Sequence, residues 1–212
     1  MTASVCRSRL RPFLAVFALA IVSAQTMEAQ EKGAAKRRGA WISVGYGFAQ
    51  NNMECTGCEP GGANDPWRGG PGGGVVVGAG GAITSRFLLG AELNVSGAGG
   101  EDRNSSILTL QGVGRFYPWD RRGLYLSGGA GMASARVFRT GGSAEAYGWG
   151  THVGVGYDVH IPRARSLALT PYARYVATSI RDGNVTAFGN MTDVTALQNK
   201  SVVQLGLAVS WY

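Results

Sequence analysis

From residue 200 the sequence reads KSVVQLGLAVSWY, and its apolar residues recur at every second position. Val203, Leu205, Leu207, Val209 and Trp211 fall on one face of an extended strand, and Gln204, Gly206, Ala208 and Ser210 fall on the other. Period-two alternation of this kind describes a strand that is apolar on one side only, and Trp211-Tyr212 closes it with an aromatic pair. Tyr212 is one step out of phase with Trp211. A strand built this way needs an apolar environment on one face and a partner on each edge.

Seven further segments repeat the pattern. Residues 40–49 place Ala40, Ile42, Val44, Tyr46 and Phe48 opposite Trp41, Ser43, Gly45 and Gly47; residues 74–83 keep Val75, Val77, Ala79 and Ile83 in phase. Residues 87–95 put Phe87, Leu89, Ala91, Leu93 and Val95 on one face, with Glu92 and Asn94 on the other. Residues 108–117 are mixed, because Ile107 and Val113 are out of phase with Leu108, Leu110 and Phe116. Residues 124–136 set Leu124, Leu126, Ala130 and Met132 against Tyr125, Ser127, Gly129 and Gly131. Residues 147–160 align Trp149, Thr151, Val153, Val155, Tyr157 and Val159 against Gly148, Gly150, His152, Gly154, Gly156 and Asp158. Residues 167–176 form the seventh strand, in which Pro171 removes a ladder donor and predicts a bulge. Each strand is about ten residues, the length a tilted strand needs to cross the hydrocarbon layer of a membrane.

The connections alternate in length. Residues 84–86, 118–123 and 161–166 are short, whereas 50–73, 97–106, 137–146 and 177–199 are long. Short turns at one end and long loops at the other organise a transmembrane barrel, with the short turns periplasmic. The expected fold is therefore all-β, an eight-stranded antiparallel transmembrane up-and-down β-barrel over residues 40–212. The short turns hold Arg86, Arg121, Arg122, Arg163 and Arg165 against Asp120. Contact with lipid headgroups is one reading of that rim, and binding another anionic envelope component is the other.

The first residues supply a compartment. Arg7, Arg9 and Arg11 precede an apolar run over residues 13–22 and the small-residue site Val22-Ser23-Ala24, the pattern of a secretory signal peptide over residues 1–24. Cleavage after Ala29 is the alternative, and residues 25–39 are expected to be a short periplasmic segment. Cys6 precedes the apolar run, so no lipid anchor is expected. Removing residues 1–24 takes away three arginines and no acid, leaving 17 basic against 13 acidic side chains. Beyond Lys36-Arg37-Arg38 no basic cluster is interleaved with aromatics, so nucleic-acid binding is not expected.

The 34 glycines bear on the interior. Eight strands close around a lumen just wide enough for side chains, and inward glycines leave room for large or charged neighbours. The inward set includes Glu92, Thr109, Gln111, Arg115, Tyr125, His152, Asp158, Tyr172, Arg174 and Gln204. Buried charges need partners, so Glu92, Arg115 and Arg174 are expected to form a lumenal network with Gln111, His152, Asp158, Tyr172 and Gln204. A plugged barrel follows.

The segments GRFYPWD (114–120), GLYLSGGAGMA (123–133), GWGTHVGVGYDV (148–159), LTPYARY (169–175) and the closing LGLAVSWY give the chain its likeness to a family. It resembles the small outer-membrane barrels of the OmpA/OmpX-like superfamily. The resemblance implies a bacterial outer-membrane location and insertion by the barrel-assembly machinery, which reads a terminal amphipathic strand, here Leu205, Leu207, Val209, Trp211 and Tyr212. It also implies contact with membrane lipids and lipopolysaccharide, and no peptidoglycan-binding domain is expected after Tyr212. A monomer is expected.

The leading functional expectation is a structural or adhesive protein whose exposed loops meet an extracellular ligand. A lipid A deacylase or acyltransferase is the enzymatic alternative, and a small passive channel is the third reading. A nucleophile and base two residues apart would favour the enzyme, but His152 is followed at that spacing by Gly154 and His160 by Pro162. A hydrogen-bonded lumenal role is expected for His152 and a solvated one for His160. Cys55 and Cys58, within CTGC, suggest a loop disulfide; a redox site would lack its strand-helix context, and a metal site a second ligand pair. No catalytic residue, cofactor site or metal site is assigned.

Overall fold

A computed structural model of the chain describes residues 39–52, 54–55, 67–68, 70–99, 103–120, 122–139, 142–161, 164–186 and 200–212. The expected signal peptide and residues 25–38 lie outside the described residues. Eight long strands dominate: β1 (Ala40–Asn52), β2 (Pro71–Ala82), β3 (Phe87–Gly99), β4 (Arg103–Phe116), β5 (Leu124–Arg139), β6 (Gly142–Tyr157), β7 (Ala164–Thr186) and β8 (Lys200–Trp211). Each pairs antiparallel with its neighbour in sequence, and β8 also pairs with β1, through Ile42↔Trp211, Tyr46↔Leu207 and Asn52↔Ser201. The sheet closes into a barrel of eight strands with no free lateral edge along that seam.

Alternation becomes inside and outside. Ile42, Val44, Tyr46 and Phe48 are exposed on the barrel's outer surface, whereas Trp41, Ser43 and Ala49 are buried within it. Trp149 and Met132 are each 68% exposed and Tyr46 is 67% exposed, so large apolar side chains on the outer face are left uncovered by protein. A continuous apolar outer surface of this kind has lipid as its solvent.

The mixed fourth strand is explained by what Ile107 and Val113 do. Both are buried in the lumen, so β4 is apolar on both faces and loses its alternation. Val113 joins Trp41, Leu88, Tyr117 and Tyr125 in an apolar cluster at the end carrying the short turns.

Several expected boundaries move. Residues 97–106 and 137–146 are not long loops: β3 runs to Gly99 and β4 restarts at Arg103, while β5 runs to Arg139 and β6 restarts at Gly142. β7 continues to Thr186, paired with Ser143 of β6, so much of the expected loop over 177–199 is strand. These extensions rise past the apolar belt, where neither face need be apolar, so strand pairing persists without a period-two signal. The first long connection carries a small hairpin in which Glu54–Cys55 pairs with Trp67–Arg68.

Pro171 does not create the expected bulge. Leu169 pairs with Val159 and Tyr172 with Gly156, a constant register on either side, so the proline interrupts the ladder without adding a residue. Pairing with β7 lapses at Asp158, between the end of β6 at Tyr157 and Val159–Ile161, while on the β5 side the Asp158 amide donates to Gly123 O at 2.9 Å, in register with Leu124↔Tyr157. The register shifts of β7 fall between Ala164 and Ala168 and between Ile180 and Asp182.

Inward glycines act as seats for large side chains. A Cβ on Gly90 would lie 2.8 Å from Trp41 Cζ2, and one on Gly156 would lie 2.7 Å from Tyr125 Cε1. Gly206 similarly underlies Tyr172 Oη and Gly129 underlies the His152 ring. Gly156→Val is therefore expected to overpack the lumen at Tyr125 and to cost about 1–3 kcal/mol, read as a lower urea midpoint of the protein folded in lipid vesicles.

Candidate functional site: the lumenal network and its rims

Side chains occupy the barrel interior in layers. At the short-turn end the apolar cluster of Trp41, Leu88, Val113, Tyr117 and Tyr125 occupies the lumen. Arg115 lies over it, its guanidinium 4.0 Å from the Trp41 ring centroid and 5.2 Å from that of Tyr125, and Nη2 donates to Ser43 Oγ at 2.9 Å. Stacking between aromatic faces keeps this cation buried without a second carboxylate of its own.

The middle layer gathers the charges. Glu92 Oε1 is 2.6 Å from Arg174 Nη1, and Glu92 Oε2 is 3.6 Å from Arg115 Nη2. Both contacts are ion pairs between buried side chains, and the shorter joins Glu92 to Arg174. Glu92 on β3 and Arg174 on β7 are four strands apart in either direction, so the closer pair spans the lumen. Beside it, His152 Nδ1 is 2.6 Å from Gln111 Oε1. An amide oxygen only accepts, so Nδ1 carries the proton and His152 is held as that tautomer. Tyr172 lies under Arg174, with 5.5 Å between its ring centroid and the guanidinium carbon.

Asp158 belongs to a different group. Its Oδ2 accepts from Tyr117 Oη at 2.9 Å and from Tyr212 Oη at 2.6 Å, its Oδ1 accepts from Thr170 Oγ1 at 2.8 Å, and the two tyrosine oxygens are 2.9 Å apart. Tyr212 is out of phase with Trp211 because it turns inward to this carboxylate. Of the residues expected to form the assembly signal, Leu205, Leu207, Val209 and Trp211 therefore share the outer face and Tyr212 does not.

Gln204 is fully buried against Gly74 on the lumen side, and neither end of its amide is hydrogen-bonded among the described residues. Lys200 is also buried, and its backbone oxygen accepts from Thr178 Oγ1 at 3.2 Å. The structure thus brings together Glu92, Arg115 and Arg174, and places Gln111 with His152; it separates Asp158 from them. Trp41, Ser43, Leu88, Tyr117 and Lys200 are lumenal residues that were not singled out from the sequence, although the position of Trp41 opposite Ile42 was a usable sign.

At the short-turn rim, Arg86 holds Asp120 through two bonds, Nε to Oδ1 at 2.9 Å and Nη2 to Oδ2 at 2.8 Å, and Ser85 Oγ adds a third at 3.1 Å. The one acid among the rim arginines thereby ties the first turn to the second, and raises the Arg86 pKa by hydrogen bonding. Arg122 stacks on exposed Trp119. Arg121 and Arg163 lie outside the described residues. At the opposite rim Arg136 Nε donates to Glu145 Oε1 at 2.6 Å, and that bond lowers the Glu145 pKa.

The partner of His152 is the amide oxygen of Gln111 rather than a nucleophile, and His160 stacks near Tyr212 with ring centroids 6.0 Å apart. Among the described residues no group of three or more His, Cys, Asp or Glu could hold a metal ion. Cys58 lies outside the described residues, so the expected disulfide with Cys55 does too.

No family model matches the chain, and no curated protein matches it by sequence. Solved structures do. Neisserial surface protein A is 13% identical with a TM-score of 0.52, and the alignment covers 82% of this chain and 96% of that one. Ail, the attachment invasion locus protein of Yersinia pestis, solved in complex with the heparin analogue sucrose octasulfate, is 10% identical with a TM-score of 0.53, covering 82% and 99%. The chain shares the eight-stranded barrel fold of these small outer-membrane proteins. At these identities the likeness establishes the fold, and it agrees with the apolar outer surface and the closed seam.

Two outcomes follow from these contacts. Arg174→Ala leaves Glu92 without its nearer partner and is expected to cost about 3–5 kcal/mol in vesicle unfolding by urea, whereas pairing it with Glu92→Gln recovers part of that loss. For Glu145, a pKa lowered in the folded protein means the Arg136 contact is present above the ordinary carboxylate range and is lost as pH falls through the lowered value. The side-chain carboxyl resonance of Glu145 should titrate below that of an unpaired glutamate, and Arg136→Gln should return it to the ordinary range.

Proposed function

We propose that this barrel is a sealed, non-enzymatic surface scaffold with a structural or adhesive role, carried by the segments that leave its outer end. The observation that supports this most is the filling of the lumen at every level: Leu88, Ala49, Gln204, Thr170 and Tyr117 are each 0% exposed. A side chain with no accessible surface borders no water-sized space, which supports a lumen closed to solutes at these residues. What remains for interaction is the outer rim, where β1 and β2 are joined through residues 53–70 and β7 and β8 through residues 187–199. The complex of Ail with a heparin analogue makes sulfated glycans the first ligand class to test. The arginines of the periplasmic rim, Arg122 among them, are proposed to face lipid phosphates, and lipopolysaccharide is proposed to surround the outer leaflet side.

The test is binding of immobilised sulfated glycans and extracellular-matrix proteins by bacteria that display the barrel, compared with a variant in which residues 56–66 and 187–199 are replaced by short glycine-serine turns. Binding that depends on those segments supports the adhesive role. Steady conductance of the purified barrel in a planar bilayer would overturn the sealed lumen, and a reproducible change in lipid A acylation on expression would replace this reading by the enzymatic one.

A further inference from the structure

The outward pattern of β8 leaves its register undetermined. Val203, Leu205, Leu207 and Val209 are near equivalents on the lipid side, and Gly206, Ala208 and Ser210 are small on the lumen side. Sliding β8 by two residues against β1 would keep every side chain on its own face, so the hydrophobic pattern opposes such a slip weakly. A slip of two residues displaces each side chain by about 6.6 Å along the strand. Tyr212 cannot tolerate it. Its hydroxyl lies 2.6 Å from Asp158 Oδ2 and 2.9 Å from Tyr117 Oη, and its amide donates to Ser166 O at 2.9 Å.

We propose that the Tyr117–Asp158–Tyr212 triad is the register lock of the closing strand. Its members come from widely separated parts of the sheet. Tyr117 follows β4, Asp158 sits in the gap after β6, and Tyr212 follows β8, four strands from β4 around the ring in either direction. The triad therefore forms only when the two halves of the sheet face each other with β8 in its native register. Thr170 on β7 and Ser210 on β8 extend it to the strands flanking the seam, through Thr170 Oγ1 to Asp158 Oδ1 at 2.8 Å and Thr170 Oγ1 to Ser210 Oγ at 3.3 Å. Asp158 takes three hydroxyls, from Tyr117, Tyr212 and Thr170, at the point where the pairing of β6 with β7 lapses, while its amide stays bonded to Gly123 O on the β5 side. Gly123 is required there, since a Cβ on it would overlap the Asp158 backbone.

The test reads register directly. In a Cys55→Ser/Cys58→Ser background, Tyr46→Cys/Leu207→Cys reports the native pairing of β1 with β8, and Tyr46→Cys/Leu205→Cys reports a two-residue slip. With the triad intact, only the first pair is expected to oxidise to a disulfide. Adding Tyr117→Phe/Tyr212→Phe, which keeps both rings and removes both hydroxyls, is expected to make the second pair cross-link as well. Tyr212→Phe alone should lower the folding equilibrium constant in lipid vesicles about tenfold, the effect of losing a hydrogen bond to a charged acceptor. Tyr117→Phe, which leaves β8 untouched, should lower it in the same direction and lose less in combination than the two separate losses predict. Exclusive native cross-linking in the double variant overturns the proposal. So does wild-type stability of Tyr212→Phe, which would assign the role of Tyr212 to its ring alone.

Discussion

The pairing of β1 with β8 is the contact on which the rest depends. It runs over eleven residue pairs from Ile42↔Trp211 to Asn52↔Ser201, and it turns a sheet with two open edges into a ring. In hydrocarbon an open edge would leave a row of backbone donors and acceptors without partners, each at a cost of several kcal/mol. Closure also sets the width of the lumen, and that width decides which side chains can share a layer. The glycines beneath Trp41, Tyr125 and Tyr172 are consequences of it: a ring of eight strands has room for an indole or a phenol only where the facing wall has no side chain.

A filled lumen in turn lets side chains act across it. Glu92 reaches from β3 to Arg174 on β7, and Tyr117 meets Tyr212 from the opposite side of the ring. Backbone hydrogen bonds join only neighbouring strands, so these contacts supply stiffness in a direction the ladder does not. The two differ in chemistry. Glu92 is held by ion pairs beside a cation stacked on aromatic rings, while Asp158 is held by hydroxyls; substitutions in one are not expected to be rescued by the other.

Much of this was legible in the residue pattern, and the misses have physical causes. The run from Trp149 to Tyr157 is readable because lipid faces one side and glycine or polar residues face the other. β4 was less readable because Ile107 and Val113 satisfy the lumen rather than the membrane. The outer ends of β5, β6 and β7 were read as loops, since pairing in water asks for no apolar alternation. Glu92, Arg115 and Arg174 could be placed together on parity and charge alone, but parity does not report height along the barrel. Asp158 was therefore grouped with them, although it lies in another layer. Pro171 was read as a bulge because its missing donor was visible, whereas the constant register on either side of it was not.

The outward extension of β5 through β7 has a consequence for what holds each position in place. Below the membrane boundary almost every position answers to two constraints at once, lipid on one side and a crowded interior on the other. Above it, Val137 pairs with Ala144 and Ala144 with Val185, strand ends held in the sheet by their backbone partners. The barrel thus divides its own sequence into a chassis set by solvent and volume and outer strand ends set by backbone pairing.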